Sequence, residues 1–314
     1  MQGSALTNVD IVIVNWNAGP QLVDCVQSIF AYEADALGLV TIVDNASSDG
    51  SVAFCRGDLR VRLVEPGRNL GFGTACNLGA AQGSADYILF LNPDTRLLRP
   101  TLRAVASFME RPEAYNIGVC GVRLVGEAGT TAKHCARLPS AVTFFNLSVG
   151  LSKFLPRVFH PVELVEFDHD HDAQVPHVMG AFFFVRRTVF EAVNGFDEDF
   201  FVYYEDLDLS LRIRDQGYLI YYLASEAIFH RTGGTSGGAR AKALSYLLES
   251  RLIYARKHYS YAGRALVGVG VLLVEPMRRL VHAILAGAPD QARETIKAMG
   301  RLWTILLGRR LDRA

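Results

Sequence analysis

The first 125 positions alternate short, mostly apolar runs with polar breaks that carry glycine and proline. Residues 9–14, 39–43, 61–64 and 117–124 are runs of this kind. The clearest is Tyr87-Ile88-Leu89-Phe90-Leu91, which reads as a strand buried on both faces. It stops at Asn92-Pro93-Asp94, because proline has no N–H for a ladder and biases its neighbour away from helix. Between the runs, apolar positions recur at helical spacing. Leu22, Val23, Val26, Ile29 and Phe30 do so behind Pro20, a residue suited to a first helical turn. Residues 71–82, rich in Gly and Ala, predict a helix packed closely on a sheet, and 102–109 predict another. This β-α-β alternation predicts an α/β fold with a mostly parallel central sheet flanked by helices.

The later chain is less regular. Residues 178–185 predict a strand ending in Arg186-Arg187, and 220–223 a further short one. Leu207, Leu209, Leu211 and Ile213 alternate, which by itself suits a strand. The acids at 205–208, Arg212 and Arg214 near the end and the closing Gly217 suit a helix, and helix is the reading adopted, with Asp208 as a capping residue. Residues 246–259 predict a helix covering a site. Residues 126–176 show little periodicity but contain Asp168-His169-Asp170-His171-Asp172. Alternate spacing would let His169 and His171 chelate a metal; the plainer reading, adopted here, is a solvated loop. An apolar run at 265–274 is halted by Glu275-Pro276, short of the ~20 residues that span a bilayer.

Composition is that of an ordinary globular protein: 314 residues, 50% hydrophobic, 20% charged, net charge zero. The charge is uneven. From Arg264 onward there are nine Lys or Arg and four Asp or Glu, so this tail carries +5 and the rest −5. That points to an anionic surface and away from a nucleic-acid partner. Leu280, Ile284, Leu285, Ile296, Leu302 and Trp303 alternate there with Arg278, Arg279, Arg293, Lys297 and Arg301. Such a pattern reads either as an interfacial membrane anchor or as a helical subdomain packing on the core or on a second subunit. The five cysteines are odd in number and lack C-x-x-C, which predicts reduced thiols in a cytoplasmic setting. The N-terminal residues lack the basic and apolar regions of a secretory leader.

Candidate chemistry gathers at the ends of the predicted strands. Asn15 and Asn17 follow the first, Asp44 and Asn45 the second, Asn69 precedes Gly71-Phe72-Gly73, and Asn92 and Asp94 follow the fourth. In open α/β sheets that edge binds ligands. G-x-G-x-x-G after the first strand and G-x-x-x-x-G-K-[ST] are both missing, which argues against a dehydrogenase and a P-loop enzyme. An Asp after strand two suits a base N–H or a ribose hydroxyl, and one after strand four suits a divalent ion carrying a diphosphate. Asn45, Ser47, Ser48 and Asp49 read as turn residues. His230 precedes a glycine-rich, hydroxyl-bearing stretch at 232–238 whose backbone N–H groups could cradle a diphosphate.

Several segments resemble glycosyltransferase family 2, most of all its bacterial rhamnosyltransferase-like branch. They are Val12-Ile13-Val14-Asn15-Trp16-Asn17, Val43-Asp44-Asn45-Ala46-Ser47-Ser48-Asp49-Gly50, Asn69-Leu70-Gly71-Phe72-Gly73 with Asn77, and Leu91-Asn92-Pro93-Asp94. Gly180-Ala181-Phe182-Phe183-Phe184-Val185-Arg186-Arg187, Gly195-Phe196-Asp197-Glu198 and Tyr203-Tyr204-Glu205-Asp206-Leu207-Asp208 follow in order. The resemblance implies a GT-A-like domain over 1–260, with a nucleotide-sugar half at about 1–125 and an acceptor and catalytic half at about 126–260, then a helical region at 261–314. It implies Asp206 as general base, with Glu205 the competing assignment. Asn15, Asn17, Asp44, Asn69, Gly71, Asn77, Asn92, Asp94 and Arg231 would bind the donor. Asp94 and His230 would hold Mg2+ or Mn2+. The usual Asp-x-Asp is here Asn92-Pro93-Asp94, one carboxylate fewer, which raises the weight on His230. The implied activity is inverting, metal-dependent transfer of a sugar, rhamnose first, from a nucleotide-diphospho-sugar to a lipid-linked or surface saccharide acceptor at the inner face of the cell membrane. The rivals are a sugar nucleotidyltransferase, which would want a basic glycine-rich loop after strand one, and a non-catalytic nucleotide-sugar-binding or scaffold protein.

Overall fold

The computed structural model describes residues 8–33, 37–231 and 240–308. In chain order the elements are β1 (Val9–Asn15), α1 (Pro20–Glu33), β2 (Leu37–Asp44), β3 (Val61–Val64), α2 (Phe72–Ala80), β4 (Tyr87–Leu91), β5 (Thr95–Leu97) and α3 (Thr101–Met109). There follow β6 (Ile117–Val125), β7 (Cys135–Ala136), α4 (Ala141–Val149), α5 (Leu151–Phe154), β8 (Ala173–Val175), β9 (His177–Val178), β10 (Phe182–Arg186) and α6 (Arg187–Ala192). The last are α7 (Glu205–Asp215), β11 (Leu219–His230), α8 (Arg240–His258), α9 (Tyr261–Val269), α10 (Glu275–Leu285) and α11 (Pro289–Leu306). The described residues form two compact units. One comprises 8–137, 164–198 and 206–231; the other comprises 138–163, 199–205 and 240–308.

The first unit is built on a sheet of order β3-β2-β1-β4-β10-β6-β11-β5, with β8 also paired to β11. β1, β2, β3 and β4 run parallel, as do β6 and β11. β10 lies antiparallel between β4 and β6, and β5 and β8 are antiparallel to β11. The sheet is therefore mixed, and its parallel strands all end at one edge. Alternate residues feed two cores. Ile11, Ile13, Leu89, Leu91 and Phe184 join α1 and α3 on one face. Val12, Val14, Ile88, Phe90 and Phe183 join α2, α6 and α7 on the other. Burial on both faces is why these strands read as continuous apolar runs.

Away from the strand ends, Asp10 anchors the unit. Its carboxylate accepts the N–H groups of Leu39 (2.7 Å) and Ala85 (2.9 Å) and pairs with Arg187 at 2.7 Å. A Cβ on Gly83 would lie 2.1 Å from Asp10 Oδ2, so only glycine lets the chain pass this close. Arg186 is fixed in turn by the carbonyls of Ile117, Met109 and Ala114 and by the Tyr87 hydroxyl. The Arg186-Arg187 pair is thus a buttress of the sheet.

Three local expectations are corrected. The strand expected over 178–185 is two pieces, β9 and β10, with residues 179–181 between them. The stretch at 168–172 is not a solvated loop throughout. His169 is fully buried, its Nε2 accepts the N–H groups of His134 (3.3 Å) and Cys135 (3.2 Å), and its carbonyl takes the Tyr222 hydroxyl. His171 stays exposed and meets Asp168, so the two imidazoles do not act as a chelating pair. Asp208, expected to cap, lies inside α7 and binds Arg212 Nε at 2.8 Å. All five cysteines are buried free thiols, and burial pushes Cys25 up to about 12 and Cys55 up to about 11.

The second unit is helical. α4 opens on a capping box between Ser140 and Thr143 and closes on Gly150 in the left-handed region. Phe144 packs edge-on against Tyr204 and Tyr254. The apolar run at 265–274 ends at Glu275-Pro276, but the helix does not. Gly270–Val274 form a π-turn, and the helix runs on into α10. Proline clashes with the carbonyl four residues back, and the wider turn relieves that clash. Glu275 is buried and binds Arg251 at 2.7 Å and Arg279 at 2.7 Å. Among the described residues no helix is long and apolar enough to cross a membrane.

Candidate active site

β1 pairs with β2 on one side and β4 on the other, so the β1/β4 crevice is the switch point where such sheets take ligands. Asn15 and Asp44 are opposite each other in register at the ends of β1 and β2. Both are buried, and Asn15 Nδ2 donates to Asp44 Oδ1 at 2.9 Å. Ser47 and Ser51 hydroxyls lie 2.9 and 2.8 Å from the same nitrogen. Asn17 holds the facing turn: its N–H meets Ser47 Oγ and its Oδ1 accepts the Ser48 N–H. Asn45 does more than turn the chain. Its amide accepts the Leu70 N–H (3.0 Å) and donates to the Gly71 carbonyl (2.9 Å), clamping the 69–71 loop to the end of β2. Asn69 Oδ1 accepts the Gly71 N–H, and Gly71, at φ 83°, turns the chain into α2. Asn77 is engaged elsewhere. Both ends of its amide bind the Phe196 backbone, at 2.9 Å each, and it also reaches Glu198, so it fastens the 195–198 turn.

The end of β4 is shared with later chain. Antiparallel pairing of β5 with β11 sets His230 opposite Thr95. His230 Nε2 then lies 3.5 Å from Asp94 Oδ1, both side chains being 8% exposed. The Asp94 carbonyl accepts the Arg231 N–H at 3.0 Å, and the Arg231 guanidinium meets Glu127 at 3.2 Å. His230 Nδ1 is buried and has no hydrogen-bond partner among the described residues. A carboxylate and an imidazole converging here fit a divalent ion that takes its remaining oxygens from a diphosphate. Among the described residues no cluster of three or more metal-binding side chains exists, so the protein would supply two ligands at this point. The glycine-rich stretch at 232–238, expected to cradle phosphates, lies outside the described residues.

Asp206 reaches the same edge through two backbone links. The Asn92 N–H donates to the Ala181 carbonyl at 3.1 Å, just before β10 begins. The neighbouring Gly180 N–H donates to Asp206 Oδ2 at 3.0 Å, and the Leu207 N–H to Oδ1 at 2.8 Å. Each carboxylate oxygen thus accepts one fixed donor and keeps a lone pair. His177, which the sequence reading passed over, stands 3.6 Å from Asp206 Oδ2 through Nε2, while Nδ1 is 2.8 Å from Ser210 Oγ. Burial holds its imidazole below the ordinary range, against the pull of Asp206. Its signal was present: a lone histidine in Val175-Pro176-His177-Val178, three residues before Gly180. Burial, with smaller contributions from His169, His177 and His230, pushes the His134 imidazole down to about 4. Tyr203 and Tyr204, which precede Glu205, both adopt positive φ (72° and 65°), and backbone strain of this kind concentrates at functional sites.

The family model described as "Glycosyl transferase family 2" matches residues 10–193, more than half the chain. The chain belongs to glycosyl transferase family 2. It is similar to the N-acetylglucosaminyl-diphospho-decaprenol L-rhamnosyltransferase of Mycobacterium tuberculosis, at 29% identity over 272 residues, covering 81% of this chain and 86% of that one. It is also similar to the rhamnosyltransferase WbbL of Escherichia coli, at 29% identity over 199 residues, 60% of this chain and 71% of the relative. In structure it resembles the mannosyltransferase PcManGT of Pyrobaculum calidifontis, solved with GDP-Man and Mn2+, with a TM-score of 0.56 at 16% identity over 96% of this chain and 88% of that one. That likeness establishes the GT-A fold. The protein is a family 2 glycosyltransferase, rhamnosyltransferase-like in sequence.

Proposed function

We propose that this glycosyltransferase moves a sugar, rhamnose first among candidates, from a nucleotide-diphospho-sugar to a hydroxyl of a lipid-linked saccharide, with inversion and with help from Mg2+ or Mn2+. The supporting observation is the tether Asn92–Ala181–Gly180–Asp206, which links the Asp206 carboxylate by backbone hydrogen bonds to Asn92, two residues before the Asp94 that meets His230. Asn15, Asp44 and the 69–71 loop would receive the nucleoside. Asp94 and His230 would hold the ion, which when bound withdraws charge from the diphosphate leaving group. Arg231 would add a second positive charge beside it. Asp206 would take the acceptor's proton as its oxygen attacks the anomeric carbon. One displacement, with base and leaving group on opposite sides, inverts that carbon. Glu205 stays the competing base. The acceptor class is supported by the rhamnosyltransferase relatives, and with such an acceptor the enzyme would work at the inner face of the cell membrane, with peripheral contact through the helical tail. The test is a nucleotide-sugar panel scored for released nucleoside diphosphate with Mg2+, Mn2+ or EDTA. Turnover with dTDP-rhamnose, abolished by EDTA, is expected; EDTA-insensitive turnover overturns the metal role, and no turnover with any donor overturns the reading.

A further inference from the structure

The helical tail carries an apolar row that no described residue of its own unit covers. Ala265, Val269, Leu273, Met277, Val281 and Leu285 follow one another every fourth residue along α9, the π-turn and α10, and all are exposed. Met277 is 65% and Leu285 83% exposed. At 1.5 Å per residue the row is roughly 30 Å long. In an α-helix each four-residue step drifts by about 40°. The wider turn at Gly270–Val274 offsets that drift, so the two halves of the row stay on one side. α11 and its C-cap Leu307 repeat the pattern with exposed Ile296, Trp303 and Leu307, beside exposed Arg293 and Lys297.

We propose that this face is a docking surface for an anionic lipid bilayer. Charge selects the occupant. The chain from Arg264 onward has nine basic and four acidic residues, a net of +5, and one of those acids, Glu275, is buried between Arg251 and Arg279. A second copy docked face to face would set two basic surfaces against each other, since a twofold interface pairs a patch with itself. Anionic headgroups neutralise the same charges while acyl chains receive the row. Trp303, with an apolar ring and one N–H donor, suits the boundary between the two. The proposal deepens, and rests on, the peripheral contact of the preceding section.

The full chain is sedimented with vesicles of mixed phosphatidylglycerol and phosphatidylcholine, and with phosphatidylcholine alone. The comparison variants are the doubly substituted Met277→Glu/Val281→Glu, a separate Trp303→Glu, and Leu59→Glu, which lies in the other unit and is 102% exposed. Expected are salt-sensitive binding to the anionic vesicles alone, a loss of at least tenfold in both tail variants and none in Leu59→Glu. Equal binding by the tail variants, equal binding to both lipids, or a dimer in sedimentation equilibrium that Met277→Glu/Val281→Glu dissolves would each overturn it. Nucleoside diphosphate release on a soluble acceptor, measured in parallel, keeps the two readings apart: its absence in the parent counts against the transferase chemistry and leaves the vesicle result standing.

Discussion

Asp206→Asn separates chemistry from binding in one substitution. The carboxylate accepts two backbone donors, Gly180 N–H at 3.0 Å and Leu207 N–H at 2.8 Å. Asparagine keeps one carbonyl oxygen for one of them and turns an NH2 group toward the other. A donor facing a donor in a largely buried place costs about 1–3 kcal/mol. That cost falls on stability and moves the melting point by a few degrees, at about 2–4 °C per kcal/mol for a domain of this size. The effect on turnover is larger and separate. The amide cannot accept a proton, and loss of a positioned general base removes about 10²–10⁴ from kcat, or about 3–5 kcal/mol of barrier at 1.36 kcal/mol per tenfold. Nucleotide binding should stay near the parent's, because no donor-side residue touches Asp206. The assay is steady-state release of nucleoside diphosphate at saturating acceptor, with calorimetric titration of the nucleotide and a thermal melt on the same preparations. Turnover within threefold of the parent refutes the assignment. A normal Asp206→Asn beside a dead Glu205→Gln would move the base by one residue.

Two further outcomes follow from groups outside the reacting carboxylate. His134 is buried, and desolvation first, then the neighbouring histidines, lower its imidazole from 6.5 to about 4. The unfolded chain therefore binds the proton first, so stability is full above about pH 6.5 and falls as pH drops toward 4, by on the order of 3 kcal/mol. Urea titrations between pH 4.5 and 7.5 should show that slope, and His134→Gln should flatten it by about one proton; an unchanged slope removes the attribution. Gly83→Ala drives a methyl into Asp10 Oδ2 and splits the Asp10–Arg187 pair. A loss of about 3 kcal/mol in denaturant titration is expected, and a variant as stable as the parent shows that the carboxylate can move aside.

What could be read in advance was what periodicity records. β1, β2, β4 and β6 are doubly buried, so each announced itself as an apolar run. α7 was legible from its charges, with acids at Glu205 and Asp206 and basic residues at Arg212 and Arg214, although its leucines alternate like a strand. Long-range partnerships left no such trace. His169 is buried against Tyr222, which lies outside the 126–176 stretch, and against the His134 and Cys135 N–H groups, which lie some 35 residues before it. Asn45 looked like a turn residue because its partners, Leu70 and Gly71, lie about 25 residues on. The Asp94–His230 encounter spans still more chain, and only resemblance to a family suggested it.

The reversal of β10 explains how so much of the chain converges. The strands that run with β4 end at one edge, and each needs a return crossover before another can contribute there. β10 runs the other way, so it begins where β4 ends, with Phe182 opposite Leu91. The residues before it, Gly180 and Ala181, are then already at the edge when they meet Asp206 and Asn92. β11 reaches the same edge by length: it runs 12 residues, past the end of β6, until His230 meets Asp94. Gly180 is the tight point. A Cβ there would stand 3.3 Å from Asp206 Oδ2, closer than ordinary contact, so any side chain presses on the group that must stay in place. One reversed strand and one overlong strand thus bring the Asp206 tether and His230 to the edge where Asp94 stands.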